Sequence, residues 1–233
     1  MDKRLVRRLD LERAISSIDP HPAPTAHLEQ YTITPEIAAQ ILFIATYTND
    51  HIIGKRVADL GCGTGRLAIG SALMGAKEAV GVDIDKVATT TALKNAEEFG
   101  IKEKTQWITG EITVIKGGFD TVLQNPPFGI QRKNADRKFL RKALEIAEHV
   151  YSLHKSSQDS PELINKLARN RTQLVGAAPS PFLNKLVENC GGEVIAVYTM
   201  LMTIPRMFNF HKRLRHQFLV DIYIIERKAS PTQ

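Results

Sequence analysis

From residue 57 onward, short apolar, β-branched runs alternate with stretches whose apolar positions recur every three or four residues. The runs at 57–60, 79–82, 105–109, 121–123 and 150–153 have the length and composition of buried strands. Between the second and third, residues 86–99 place Ala88, Ala92, Ala96 and Phe99 on one helical face, at spacings of four, four and three. Strands separated by helices of this length need right-handed crossovers, which give a parallel sheet. The end of the chain differs. Runs at 194–204 and 218–225 are joined by a polar and aromatic loop without a helical pattern, so they should pair antiparallel at one edge. Residues 156–190 read as one or two helices before that hairpin, and no internal repeat is visible.

Ahead of this alternation, residues 2–17 read as a short helix in which Leu5, Val6 and Leu9 share the surface with Lys3, Arg4, Arg7 and Arg8. Pro20, Pro22 and Pro24 then block both helix and ladder pairing, so a semi-rigid linker is expected. We therefore expect residues 1–27 to be an appended basic helix and linker, and residues 28–233 to be one domain. Thr34 before Pro35 predicts a capped helix start, with the helix running to about Asn49. The expected class is α/β: a doubly wound, Rossmann-like, mostly parallel sheet with an antiparallel C-terminal edge hairpin.

Composition narrows the function classes. A chain of 233 residues, 43% hydrophobic and 24% charged, has the profile of an ordinary globular protein with one substantial core. Its longest apolar stretches, 37–47 and 194–204, are too short or too polar to span a bilayer, and no apolar segment follows the basic start, so a cytoplasmic protein without a membrane partner is expected. Two cysteines, Cys62 and Cys190, make neither a disulfide framework nor a four-ligand zinc site, and the histidines show no ligand spacing, so no metal is expected. A net charge of +6 supports an anionic partner without identifying one.

The glycine-rich turn at Val57-Ala58-Asp59-Leu60-Gly61-Cys62-Gly63-Thr64-Gly65 follows a strand and precedes a helix. Glycines there let the backbone turn tightly and approach a ligand. A dinucleotide site would want G-x-G-x-x-G with a pyrophosphate at the helix start, and a carboxylate at Asp59 would repel it. An acid suits a cationic amino acid instead: Asp59 can attract the ammonium of a methionine moiety while the Gly61 and Gly63 carbonyls approach it. This favours S-adenosylmethionine. Asp83, at the end of the next strand, is placed to accept ribose hydroxyls, and Ile84 to cover an adenine face. Asp85 reads as the cap of the following helix. Glu111, after the third strand, can accept from the adenine amino group, or be a solvated loop acid.

After the fourth strand stands Asn125-Pro126-Pro127-Phe128. Two prolines alone make a rigid turn. The asparagine and aromatic suggest more. An amino group on an aromatic ring is a poor nucleophile; if the Asn125 side-chain carbonyl and the Pro126 backbone carbonyl each accept one N–H, its lone pair can be held towards a methyl donor. Phe128 can stack on the base.

This combination resembles class I methyltransferases of amino groups, and more closely the methyltransferase-like five group, which methylates N6 of an adenine in small-subunit ribosomal RNA. The resemblance covers nearly the whole chain from Leu28. Beyond the motifs above, it rests on Leu28-Glu29-Gln30-Tyr31, Asn95-Ala96-Glu97-Glu98-Phe99, Val150-Tyr151-Ser152-Leu153-His154-Lys155 and Phe210-His211-Lys212. It implies that Gln30, Tyr31 and Thr32 bind the cofactor's methionine end or close the site; as residues alone they are a connecting strand. It also implies RNA as substrate and a small zinc-containing activator subunit as partner. The stretch 157–181 is longer than the group's pattern. Arg132, Lys133, Arg137, Lys138, Arg141 and Lys142, with His211, Lys212, Arg213, Arg215 and His216 beside Phe208 and Phe210, would seat phosphates and unpaired bases if both segments flank the cleft. The tetrapeptide is shared with enzymes acting on protein glutamine, so N5-methylation of a protein glutamine is an alternative, as is an RNA-binding or assembly factor that keeps the fold without turnover.

Overall fold

The computed structural model describes residues 7–25, 27, 29–128, 135–158, 160–170, 174–205 and 215–228. Its strands are β1 (Arg56–Leu60), β2 (Glu78–Asp83), β3 (Thr105–Thr109), β4 (Phe119–Gln124), β5 (Ala147–Lys155), β6 (Val175–Gly176), β7 (Gly192–Pro205) and β8 (Arg215–Arg227). They form one sheet in the order β3-β2-β1-β4-β5-β8-β7-β6. The first five run parallel, and β8, β7 and β6 add antiparallel, as the alternating pattern and the late hairpin predict. The two-residue β6 is too short to show a periodicity in sequence.

The helices are α1 (Arg8–Ser16), α2 (Pro35–Phe43), which runs on into a π-turn over Ile44–Thr48, α3 (Arg66–Leu73), α4 (Lys86–Glu98), α5 (Ala135–Ile146), α6 (Pro161–Arg169) and α7 (Pro181–Asn189). On one face of the sheet Ile37, Leu42, Ile69, Leu123, Tyr151 and Val220 share a core. On the other, Leu140, Leu144 and Val187 of α5 and α7 pack with Val122, Val150 and Tyr223. Strand order reverses around β1, which lies between β2 and β4 with Leu60 level with both Val82 and Gln124. Loops leaving these strand ends diverge to opposite faces and leave a crevice between them.

Two expectations need correction. First, α1 is no appendage: Leu11 and Ile15 are fully buried and Ile18 nearly so, all in the same core as α2 and α3. Their spacing of four and three is the apolar stripe that the fold uses, whereas Leu9, counted as apolar surface, is half exposed. Leu5, Val6, Lys3 and Arg4 lie outside the described residues. Second, Thr34 stands at the start of α2 without a side-chain capping hydrogen bond, although Pro35 does occupy the first turn. Asp85 caps α4 as expected, accepting from the Val87 amide at 2.8 Å.

Candidate active site

A cavity of about 370 Å³ opens where β1, β2 and β4 end, within the range typical of small-molecule sites. Its wall includes Gln30, Tyr31, Thr32, Asp59, Gly61, Gly63, Asp83, Ile84, Glu111 and Asn125, every residue expected to hold the cofactor. Of the tetrapeptide, Asn125 and Pro127 line it, Pro126 is buried behind it and Phe128 is half-buried.

The glycine turn takes its shape from backbone conformations that a side chain would resist. Gly61 (φ +71°) and Gly65 (φ +93°) are left-handed. A Cβ on Gly65 would stand 2.5 Å from the Trp107 ring, and one on Gly61 3.0 Å from the Phe139 ring. The Gly63 amide donates to Asp83 Oδ2 at 2.9 Å, and the Asp85 amide to Asp83 Oδ1 at 2.9 Å. Asp83 is thereby fixed, and each of its oxygens keeps a further lone pair for a ligand hydroxyl.

Asp59 is 1% exposed, and its Oδ2 accepts from the Ala68 amide at 3.0 Å. Burial pushes its pKa up to about 7, against that hydrogen bond, and the neighbouring Asp83 raises it further. Asp83 is also raised, chiefly by burial, in spite of its two amide donors. Two desolvated carboxylates thus share one cavity wall, each disfavoured in its ionised form chiefly by burial, and a cationic ligand relieves both costs. The charge pattern suits a sulfonium or ammonium and opposes a phosphate. Ile84 is 45% exposed, an apolar side chain that a flat ring could cover. Glu111 accepts from Lys138 Nζ at 2.6 Å.

Asn125 closes the side of the cavity nearest β4. Its Nδ2 donates to the Tyr31 carbonyl at 3.1 Å, while its Oδ1 is buried and, among the described residues, has no hydrogen-bond partner. A buried orphan acceptor costs about 1–3 kcal/mol, so its retention beside a cavity points to a donor supplied by a ligand. Phe128 packs against the main core and stands edge-on to Phe218, with ring centroids 5.9 Å apart.

The residues that sequence reasoning missed come mainly from the segment between α1 and α2. His21 lines the cavity, takes the Ala23 amide on Nδ1 at 3.0 Å and so donates from Nε2 to Asp85 Oδ2, also at 3.0 Å. Gln30 Nε2 donates to the same oxygen at 2.7 Å. Asn95 accepts from the Asp19 amide and donates to the Thr64 carbonyl, which ties the proline segment to the glycine turn. The proline run alone gave no sign of this, but Asn95 lies in a block already singled out. Phe139 of α5 also lines the cavity.

The basic seat is only partly as expected. Arg137 lies over the Phe182 ring at 4.4 Å, Lys138 pairs with Glu111, and Lys142 is buried with its Nζ on Glu145 at 2.8 Å. These three already have partners within the chain. Arg132, Lys133, Phe208, Phe210, His211, Lys212 and Arg213, with the side chains of Arg215 and His216, lie outside the described residues.

The sequence model of the family described as Ribosomal protein L11 methyltransferase (PrmA) matches residues 42–126. The chain is 40% identical to an rRNA N(6)-adenosine-methyltransferase of Danio rerio, over 64% of this chain and 74% of that one. It is 31% identical to the protein of the same name in Drosophila melanogaster, over 93% and 94% respectively. Among solved structures it is similar to that of a candidate RNA methyltransferase from Pyrococcus horikoshii, with a TM-score of 0.80 and 36% identity, covering 97% of this chain and 100% of that one.

Proposed function

Because the chain belongs to the methyltransferase-like five family of class I S-adenosylmethionine-dependent methyltransferases, we propose that it transfers a methyl group from S-adenosylmethionine to the exocyclic N6 of an adenine in RNA, namely small-subunit ribosomal RNA. The observation that carries the reading is the buried, unpartnered Oδ1 of Asn125 in the cavity wall. An acceptor held there suits an amino group that must be gripped by its hydrogens.

The residues present fit the cofactor. Asp59 would meet the ammonium, Asp83 the ribose hydroxyls, Ile84 and Glu111 the adenine, and Gln30, Tyr31 and Thr32 the methionine end. When bound, S-adenosylmethionine supplies an activated methyl on a positive sulfonium. Asn125 Oδ1 accepts one N–H of the target amine and the Pro126 carbonyl the other, which localises the lone pair on nitrogen. Phe128 offers a ring face to the base. No general base is required, because the product cation is strongly acidic and loses its proton to water. A target in paired RNA has to be flipped out, so an unpaired or distorted site is preferred.

The likeness to ribosomal protein L11 methyltransferases is confined to residues 42–126, the part that carries the glycine turn and ends at the tetrapeptide. It speaks for the methyl donor and not for a protein acceptor. The family resemblance further implies a small zinc-containing activator subunit. Among the described residues, no helix is long and apolar enough to cross a membrane.

The test is incubation of the chain, alone and with such an activator, with ribosomal RNA and with candidate proteins in labelled cofactor, followed by mass spectrometry of the modified residue. The expected product is N6-methyladenine in the small-subunit RNA. Label solely in protein glutamine would overturn the reading, and RNA binding without turnover would favour an assembly factor.

A further inference from the structure

At the end of the sheet opposite the cavity, three side chains distant in sequence meet. His51 lies between the π-turn and β1, His149 near the start of β5, and Glu226 near the end of β8, directly across the antiparallel pair from His149. One ligand-competent atom of each lies within 4.8 Å of the other two. The imidazoles of His51 and His149 are stacked, with ring centroids 3.5 Å apart and planes 13° apart. His149 Nδ1 is buried without a hydrogen-bond partner and stands 3.8 Å from Glu226 Oε1, beyond hydrogen-bond reach.

Among the described residues, none hydrogen-bonds to His149 Nδ1. A neutral imidazole offers one ring lone pair, so each histidine can supply one nitrogen to a shared ligand. Glu226 Oε1, 3.8 Å from His149 Nδ1, is a carboxylate oxygen and supplies a third ligand atom. A cation that accepts from two nitrogens and one carboxylate oxygen engages all three at once.

We propose that His51, His149 and Glu226 form a binding site for one divalent transition-metal ion of the zinc type. Two imidazole nitrogens and a carboxylate match zinc better than calcium or magnesium, which prefer all-oxygen shells. Ligand atoms of a tetrahedral zinc lie roughly 3.3 Å apart, so the 3.8 Å separation must close and the two stacked rings must tilt apart until one ion lies in both ring planes. Glu226, half exposed, leaves the remaining position to solvent. The surroundings hold the first histidine in place: Tyr151 Oη, which accepts from Asn49 Nδ2 at 2.6 Å, lies 2.9 Å from His51 Nδ1, and Thr121 Oγ1 donates to the His51 carbonyl at 2.6 Å. Such outer partners orient metal ligands. The site joins the loop before β1 to the junction of the parallel and antiparallel halves of the sheet, so its effect is on stability and not on methyl transfer. No ligand spacing in the sequence points to it, since His149 and Glu226 meet only through the β5–β8 pairing and His51 reaches them from the loop before β1.

The test uses the full chain without an affinity tag, stripped with chelator and titrated with zinc chloride by calorimetry, with thermal melts alongside. One equivalent is expected to bind and to raise Tm. His149→Gln and Glu226→Gln should each weaken binding at least about tenfold while retaining the native circular dichroism spectrum. Glu226 is exposed enough that its variant tests the site even if the histidine variant misfolds. Cobalt substitution should give ligand-field bands without thiolate charge transfer. Absence of stoichiometric binding, unchanged affinity in Glu226→Gln, or a thiolate band from Cys62 or Cys190 would each overturn the proposal.

Discussion

The side-chain amide of Asn125 donates to the main-chain carbonyl of Tyr31 at 3.1 Å. That bond joins the loop after β4 to the segment before α2, and the same segment reaches the end of β2 through Gln30 and Asp85. It also determines which end of the amide is left over. With Nδ2 committed to Tyr31, Oδ1 is the atom that remains without a partner among the described residues. Donor-side and acceptor-side groups are thus set by one short stretch of chain.

Removing that acceptor should damage chemistry more than binding. We expect Asn125→Ala to lower methyl transfer at least about tenfold with cofactor affinity little changed, the signature of an interaction used in the transition state. Single-turnover assays on ribosomal RNA, paired with calorimetry for the cofactor, separate the two effects. Equal turnover would remove Asn125 from its role.

Asp59 makes cofactor affinity depend on pH. Its folded pKa, about 7, is raised above the usual carboxylate value by burial, so the free protein carries it largely protonated below that pH, whereas a cationic ligand selects the ionised form. Affinity should fall roughly tenfold from pH 8 to pH 6, with proton release on binding at the lower pH. Asp59→Asn should bind more weakly and without this dependence. For the ligand-free protein the sign is that of a raised pKa: the stability contribution is complete below about pH 4 and is lost as pH rises through about 7. Calorimetry in buffers of different ionisation enthalpy reads the protons, and thermal melts across pH read the stability.

What was legible in the sequence was local. Asp59, Gly61, Gly63, Asp83 and Asn125 all sit within three residues of a strand end, and a parallel sheet delivers such ends to one crevice. His21 and Phe139 reach the same cavity from a proline segment and a helix, and no spacing announces either. The burial of α1 was hidden by the basic residues around it, since the stripe formed by Leu11, Ile15 and, just beyond the helix, Ile18 shares no position with Leu5, Val6 and Leu9. His149 and Glu226 are brought together by sheet register, and His51 stacks on His149 from the loop before β1.

Leu11→Ala tests whether α1 is integral. A fully buried leucine in the shared core should cost about 2–5 kcal/mol on truncation, seen as a lower denaturant midpoint with a single cooperative transition. A change below about 0.5 kcal/mol, the size usual for surface sites, would restore the appended-helix reading.

Asp83 separates recognition of the donor from recognition of the base. Its carboxylate holds the Gly63 and Asp85 amides, so Asp83→Ala removes both the shape of the glycine turn and the acceptor for ribose hydroxyls. A hydrogen bond to a charged group contributes about 1.5–3 kcal/mol, so cofactor affinity should fall roughly tenfold to a hundredfold. RNA affinity, measured by filter binding without cofactor, should stay the same because Asp83 lies on the donor side of the cavity. Asp83→Asn should recover only part of the loss, since its amide nitrogen cannot accept from either backbone N–H. Cofactor affinity equal to that of the unsubstituted chain would take Asp83 out of the site.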